Sequence, residues 1–443
     1  MQRFSEDFLL GAATSAHQVE GNNIHSDYWL MEHMRHTNFS EASGKAVDHY
    51  NRYKEDIKLL HDAGLNAYRF SVEWARIEPT EGVFDEEEMN HYKDVVSFCK
   101  GLGVEPVITL HHFTSPAWLI KKGGWENENT ISYFARYAEY VIKNLNGLVK
   151  YVVTINEANM GIQVAAIAER YKRIMMQKLK NKGKNKDPKN KNVEGTAQVG
   201  MNFNTMLKNM FFARFENRKL FKTGNPETFV SARSEKGDIL VMRAHLAAKE
   251  KIKSINPGIM VGLSLSLHDI QSTADGTENA KKEWNDEFLH YLPYIKNDDF
   301  FGLQNYSRSV IGKDGIMPVP ENAEITQMEY EYYPEALRNV TTRVNEEFKA
   351  AGVNMPIIVT ENGIATDNDK RRVAFIDTAT EGVAWCIKMG IPVKGYFYWS
   401  LLDNFEWQKG FSMTFGLIKV DRNTMERIPK ESLYFLGKLK SND

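Results

Sequence analysis

The chain has 443 residues, enough for one large α/β barrel with long loops or for two or three ordinary domains. At 42% hydrophobic and 26% charged residues it has the make-up of a soluble globular protein, and a formal charge of −2 gives no global pull toward nucleic acid or anionic lipid. The opening Met1-Gln2-Arg3-Phe4-Ser5-Glu6-Asp7 lacks a basic segment followed by an apolar one, and no apolar stretch is long enough to span a bilayer; neither a signal peptide nor a membrane partner is expected.

Along the chain, short apolar runs alternate with longer amphipathic stretches. Strands are predicted at 8–17, 67–74, 105–112, 151–157, 259–268, 299–307, 355–361 and 393–403. Helices are predicted at 50–63, 85–102, 131–145, 237–255, 334–351 and 371–389. Asp85 with Glu86, Glu87 and Glu88 puts negative charge on a first helical turn, where the helix dipole favours it. Gly64, Gly103, Gly352 and Gly390 each follow a helix and suit its left-handed C-terminal cap. The two cysteines, Cys99 and Cys386, fall in predicted helices and point to reduced thiols and a cytoplasmic setting, a disulfide between them being the weaker reading.

Eight strand–helix repeats favour a closed (β/α)8 TIM barrel, with residues 1–443 as a single catalytic domain and long βα loops forming the active-site rim. An open doubly wound sheet shares the pattern, but no Gly-x-Gly-x-x-Gly turn follows the first strand. One segment breaks the rhythm. Residues 165–235, after the fourth strand, form an insertion too long for an ordinary βα loop. Its middle is basic and low in complexity, with Lys178, Lys180, Lys182, Lys184, Lys186, Lys189 and Lys191. The favoured reading is a mobile, solvated loop; a polyanion-binding patch is the weaker one, because no aromatics interleave.

Two predicted strands end in glutamates, as Thr154-Ile155-Asn156-Glu157 and Val359-Thr360-Glu361-Asn362-Gly363. An α/β barrel keeps its active site at this end of its strands, and two carboxyl groups there are the minimum equipment for hydrolysing a glycosidic bond. The other strand ends add His17, Gln18 and Glu20; Arg69, Glu73 and Trp74; His111, His112 and Phe113; Gln304, Asn305 and Tyr306; and Trp399 leading to Asp403, Asn404, Phe405, Glu406 and Trp407. Amides, imidazoles, carboxylates and indoles at one rim suit a neutral polyhydroxylated ligand, whose hydroxyls take polar contacts and whose C–H faces pack on rings. Each has a blander reading taken singly, the glutamates as solvated or ion-paired groups and the tryptophans as core. Glu73 and Asp403 are read as structural, partners of nearby arginines or backbone amides. No His-Glu-x-x-His or cysteine cluster accompanies His111-His112, so neither a metal nor another cofactor is expected.

From Phe8-Leu9-Leu10-Gly11-Ala12-Ala13-Thr14-Ser15 to Phe415-Gly416-Leu417 the chain resembles glycoside hydrolase family 1, the β-glucosidases and 6-phospho-β-glycosidases. Tyr68-Arg69-Phe70-Ser71, Thr360-Glu361-Asn362-Gly363 and Trp399-Ser400-Leu401-Leu402-Asp403-Asn404-Phe405-Glu406-Trp407 carry the resemblance. It implies a retaining β-glycosidase with Glu361 as nucleophile, Glu157 as acid/base, and Arg69 and Tyr306 flanking the nucleophile. It further implies that Gln18, His112, Asn156, Glu406 and Trp407 bind the sugar, with Trp399 beneath the ring. The expected partner is a small β-glycoside or oligosaccharide, with no nucleic acid and no membrane; the oligomeric state is left open.

The sequence departs from the family pattern in three places. Ala158 stands where the family has a stiffening proline after the acid/base. Tyr330 lies where many members place a Trp as aglycone platform. Glu406 and Ser412-Met413-Thr414-Phe415 replace the Ser, Lys and Tyr with which phospho-enzymes hold phosphate, and a carboxylate facing a phosphate is repulsive. The expected substrates are therefore unphosphorylated β-D-glucosides, with β-galactosides or β-fucosides as side substrates. A sugar-binding relative that has lost catalysis, and a transglycosylase using the same two glutamates, are the competing readings.

Overall fold

The computed structural model describes residues 3–180 and 200–440. Eight parallel strands close into a barrel: β1 Leu9–Ala13, β2 Ala67–Ser71, β3 Glu105–His111, β4 Tyr151–Ile155, β5 in two pieces at Met260–Gly262 and Ser264–Ser266, β6 Phe301–Gln304, β7 Ile357–Asn362 and β8 Val393–Trp399. First and last strands meet, β1 pairing with β8 from Leu9↔Gly395 to Ala13↔Trp399. The break at Leu263 completes the ring on the far side, because the first piece of β5 pairs with β4 and the second with β6.

Side chains alternate between two apolar layers, as in any parallel strand covered on both faces. Leu9, Ala67, Val107, Val153, Ile358 and Phe397 form the inner cluster. Their neighbours Leu10, Tyr68, Ile108, Val152, Val359 and Tyr396 belong to the larger cluster between sheet and helices. Six helices fall where the apolar period puts them: His49–Asp62, Glu86–Gly101, Thr130–Leu145, Glu235–Ile255, Ala336–Ala350 and Asp369–Lys388. Asp85 caps the second of these by accepting from the N–H groups of Glu87 and Glu88. Gly64, Gly103, Gly352 and Gly390 all take positive φ after their helices. Cys99 and Cys386 are free, buried thiols.

The structure differs from the sequence expectation in several elements. The first strand stops at Ala13, and Ala16–Val19 is a helical turn, so His17 and Gln18 leave the sheet. A small sheet of Asp269–Ser272, Arg308–Gly312 and Gly315–Ile316, and a hairpin of Ile418–Val420 with Arg427–Pro429, were not expected; strands this short cannot display a period. Segment 165–235 is not simply a loop. Helices Met160–Lys180 and Phe203–Phe221 occupy much of its described part, consistent with the high helix propensity of their Lys, Arg, Met and Leu residues. Lys178 and Lys180 end the first of these helices, whereas Lys182, Lys184, Lys186, Lys189 and Lys191 lie outside the described residues.

Candidate active site

Glu361 reaches the barrel mouth through a change of register. Val359 lies opposite Leu303, but Glu361 lies opposite Gln304, so β7 carries one extra residue. Strict alternation from inward-facing Ile358 would turn Thr360 to the axis; the bulge re-aims Glu361 instead. There Arg69 Nη1 donates to Glu361 Oε1 at 2.5 Å, Tyr306 donates its hydroxyl to Oε2 at 2.6 Å, and Gln304 Nε2 donates to Oε1 at 3.1 Å. Arg69 is fully buried and is oriented by Thr109 Oγ1 (3.1 Å), the Thr360 carbonyl (3.2 Å) and Asn156 Oδ1 (2.6 Å).

Glu157 follows β4 in the left-handed region, with φ at 44°. A side chain there costs on the order of 1–2 kcal/mol, which its surroundings must offset. The Glu157 N–H donates to Ser264 Oγ at 3.1 Å, and Asn156 Oδ1 accepts from Gln304 Nε2 at 2.6 Å and from Ser264 Oγ at 3.2 Å. The Ala158 N–H donates to the Ser264 carbonyl at 2.9 Å, a bond the family's proline has no hydrogen to make. Arg233 Nη1 donates to the Ala158 carbonyl at 3.0 Å. The turn after Glu157 is thus held by hydrogen bonds to distant segments.

A cleft at this end of the barrel is lined by His112, Phe113, Asn156, Glu157, Tyr306, Glu361, Trp399, Glu406, Trp407 and Phe415. The His112 ring lies near-parallel to those of Trp399 and Trp407, with centroids 5.5 and 6.0 Å away. Arg69 stands behind Glu361. Gln18 stands behind Glu406, its Nε2 donating to Glu406 Oε2 at 3.2 Å and to the Phe405 carbonyl at 2.8 Å. Tyr330 packs on Tyr306 with ring centroids 6.5 Å apart.

Other strand-end groups serve the scaffold. Glu20 pairs with Arg76 at 2.9 Å, and His111 Nε2 lies 3.0 Å from Ser115 Oγ. Glu73 accepts from Thr114 Oγ1 and from the Ala75 N–H. Asp403 accepts from the Gly416 N–H at 2.8 Å, a backbone amide as expected, and its cation is Lys430, with Nζ at 2.9 Å. Sequence reasoning placed Gln304 and Phe113 at strand ends without giving them a role, and did not assign Ser264, Arg233 or Phe415 to the site. Gln304 was visible as a strand end, but nothing local showed its contact with Glu361; Ser264 and Arg233 carried no signal at all.

Burial raises the affinity of Glu157, Glu361 and Glu406 for their protons. Glu157 is pushed well above the ordinary range, by burial first and by the charge of Glu361 second. Glu406 is pushed up to about 8 by the same two causes. Burial raises Glu361 too, but Arg69, Tyr306 and Gln304 oppose it there. Only Glu361 has a guanidinium bonded to it, so the pair holds its negative charge on Glu361 and its proton on Glu157. Burial and the nearby Arg69 keep the His112 imidazole neutral.

A carboxylate and a carboxylic acid at one barrel mouth, among aromatic rings and amides, can attack a glycosidic carbon and protonate its leaving oxygen. Fold and site together define a glycoside hydrolase barrel. The sequence model of glycosyl hydrolase family 1 matches residues 1–184 and 290–443, and the chain belongs to that family. It is 30% identical to a 1,4-beta-D-glucan glucohydrolase of Thermotoga neapolitana, over 100% of this chain and 99% of that protein. It is 29% identical to Beta-glucosidase A of Acetivibrio thermocellus, over 99% and 98%. The crystal structure of beta-glycosidase BGL167 superposes with a TM-score of 0.83 at 41% identity, covering 99% of this chain and 97% of that one.

Proposed function

We propose that this hydrolase is a retaining β-glycosidase acting on unphosphorylated β-D-glucosides, with β-galactosides and β-fucosides as side substrates. The observation that carries the reading is the unequal environment of the two glutamates. Glu361, ionised against Arg69 and Tyr306, attacks the anomeric carbon and forms the glycosyl–enzyme while Glu157 protonates the departing oxygen. Esterification removes the charge of Glu361, which after burial is the largest cause holding the proton on Glu157. Glu157, having given its proton to the leaving oxygen, therefore stays ionised and takes a proton from the water that releases the sugar. In this reading His112, Asn156, Gln18, Glu406 and Trp407 hold the glycone, Trp399 lies beneath it, and Tyr330 borders the leaving group.

Glu406 at about 8 is largely neutral near pH 7, so charge repulsion of a phospho-sugar is weaker than the sequence suggests. What supports the unphosphorylated substrate is that no lysine or arginine is among the described residues lining the cleft. The same reading takes residues 1–443 as one catalytic unit working in the cytoplasm.

Glu361→Ala is expected to slow an aryl β-glucoside by about a thousandfold or more, with external azide restoring turnover as the α-glycosyl azide. Ordinary turnover by Glu361→Ala would overturn the assignment of the nucleophile. Faster hydrolysis of the aryl β-glucoside 6-phosphate than of its unphosphorylated counterpart would overturn the glycone. Transfer products without free sugar, at high acceptor concentration, would favour a transglycosylase.

A further inference from the structure

Helix Phe203–Phe221 turns three phenylalanine rings to water, while Phe221 at its end is buried. Phe211, Phe212 and Phe215 are 64%, 53% and 49% exposed, whereas Ala213 and Asn217 on the inner side are each 8% exposed. Leu207 and Met210 extend the exposed patch. An apolar surface of this kind on a helix rimmed by charge marks an interaction site.

The rim is basic. Lys208, Arg214, Arg218, Lys219 and Lys222 are exposed, and none forms an ion pair among the described residues. The one acid on the helix, Glu216, is engaged with His36 Nδ1 at 2.6 Å. Over residues 203–222 the sequence holds five Lys and Arg against one Glu, a local charge of +4 in a chain whose total is −2. The partner that fits is anionic, with apolar depth. A second copy meeting this face with its own would oppose like charges. A nucleic acid would want flat ring faces in series, but the Phe211 ring stands at 83° to Phe212 and at 72° to Phe215. Such rings form a wedge, not a stacking platform.

We infer that the outer face of helix Phe203–Phe221 docks on an anionic lipid bilayer. Phe211, Phe212 and Phe215 enter the boundary between headgroups and acyl chains, and Lys208, Arg214, Arg218 and Lys219 meet the anionic headgroups. The whole-chain charge conceals this attraction because it is confined to one segment. The contact is peripheral, as no helix among the described residues is long and apolar enough to cross a membrane.

The test is flotation of the full chain with phosphatidylcholine vesicles, with and without phosphatidylglycerol. Binding to the anionic vesicles is expected to be about tenfold or more stronger and to weaken as salt is raised. Phe211→Ser/Phe212→Ser/Phe215→Ser and, separately, Arg214→Glu/Arg218→Glu are expected to lower it by about tenfold or more, with unchanged circular dichroism and aryl-glycoside turnover. Failure of the unaltered chain to float, or equal flotation of both variants, overturns the proposal. So does a dimer that the triple Phe→Ser variant converts to monomer, which assigns the face to a second copy. Tighter binding to single-stranded RNA than to the vesicles, lost in the triple variant, assigns it to nucleic acid and also overturns it.

Discussion

Tyr306 donates its phenolic hydrogen to Glu361 Oε2 at 2.6 Å, and that bond favours the ionised carboxyl group. In Tyr306→Phe the carboxylate loses one of its three donors and its proton affinity rises. The acidic limb of kcat/KM is therefore expected to move to higher pH, with kcat falling about 10- to 100-fold. With Glu157 as the proposed acid, protonated at the start, activity is expected to fade as pH climbs through its raised pKa, which sets the basic limb. A pH–rate profile checks both limbs; an unmoved acidic limb in Tyr306→Phe would mean that Tyr306 does not tune Glu361. At this scale the sequence was informative about identity and silent about mutual contact. Glu157, Glu361 and Arg69 were legible in motifs and Tyr306 and Gln304 as a strand end, but the bonds of Gln304 to Glu361 and Asn156 were not, because those partners lie 57 and 148 residues away.

The turn after β4 shows what an element needs when a local restraint is absent. Ala158 cannot stiffen the backbone as proline does, and Arg233 holds its carbonyl from the segment preceding helix Glu235–Ile255. Arg233 Nη2 also donates to the Phe229 carbonyl at 2.5 Å, so the guanidinium ties two backbone segments together. Arg233→Met is expected to cost roughly 2–4 kcal/mol, measured by urea unfolding, since hydrogen bonds from charged groups are worth more than neutral ones. Within the folded population, substrates with poor leaving groups should lose more kcat/KM than activated aryl glycosides, because they depend most on the placement of Glu157. Equal losses for both would show that Arg233 acts on stability alone. The bulge in β7 belongs to the same scale: the strand was readable from its apolar run, while its extra residue exists only relative to the register of β6.

Across the whole molecule, the N- and C-terminal parts of the chain are tied together at several points. The β1–β8 pairing closes the barrel, and Arg427 in the C-terminal hairpin reaches Asp56 in helix His49–Asp62, with Nε and Nη2 donating at 2.7 and 3.0 Å. Burial pushes the Asp56 carboxyl up, but the bonds from His49 and Arg427 outweigh it and hold the group below its ordinary value. The stability it contributes is thus complete above the unfolded pKa of about 4 and is lost as pH falls below it. Arg427→Met leaves Asp56 buried without its cation and is expected to cost roughly 3–5 kcal/mol at neutral pH, read from the urea midpoint. A loss below about 1 kcal/mol would show that His49 alone satisfies the carboxylate.

The sequence by itself determined the eight-strand barrel, six of its helices and the two glutamates at its mouth. Apolar period, helix caps and short motifs are properties of neighbouring residues, and every one of them survives in isolation from the rest of the chain. The tertiary structure decided which carboxyl group keeps the proton, because that depends on Arg69 and Tyr306 arriving from other strands. It also decided that the turn after Glu157 is held without proline, and that the aromatic face of helix Phe203–Phe221 looks outward. Burial and partnership are relations between segments distant in sequence, and only closure of the barrel brings those segments together.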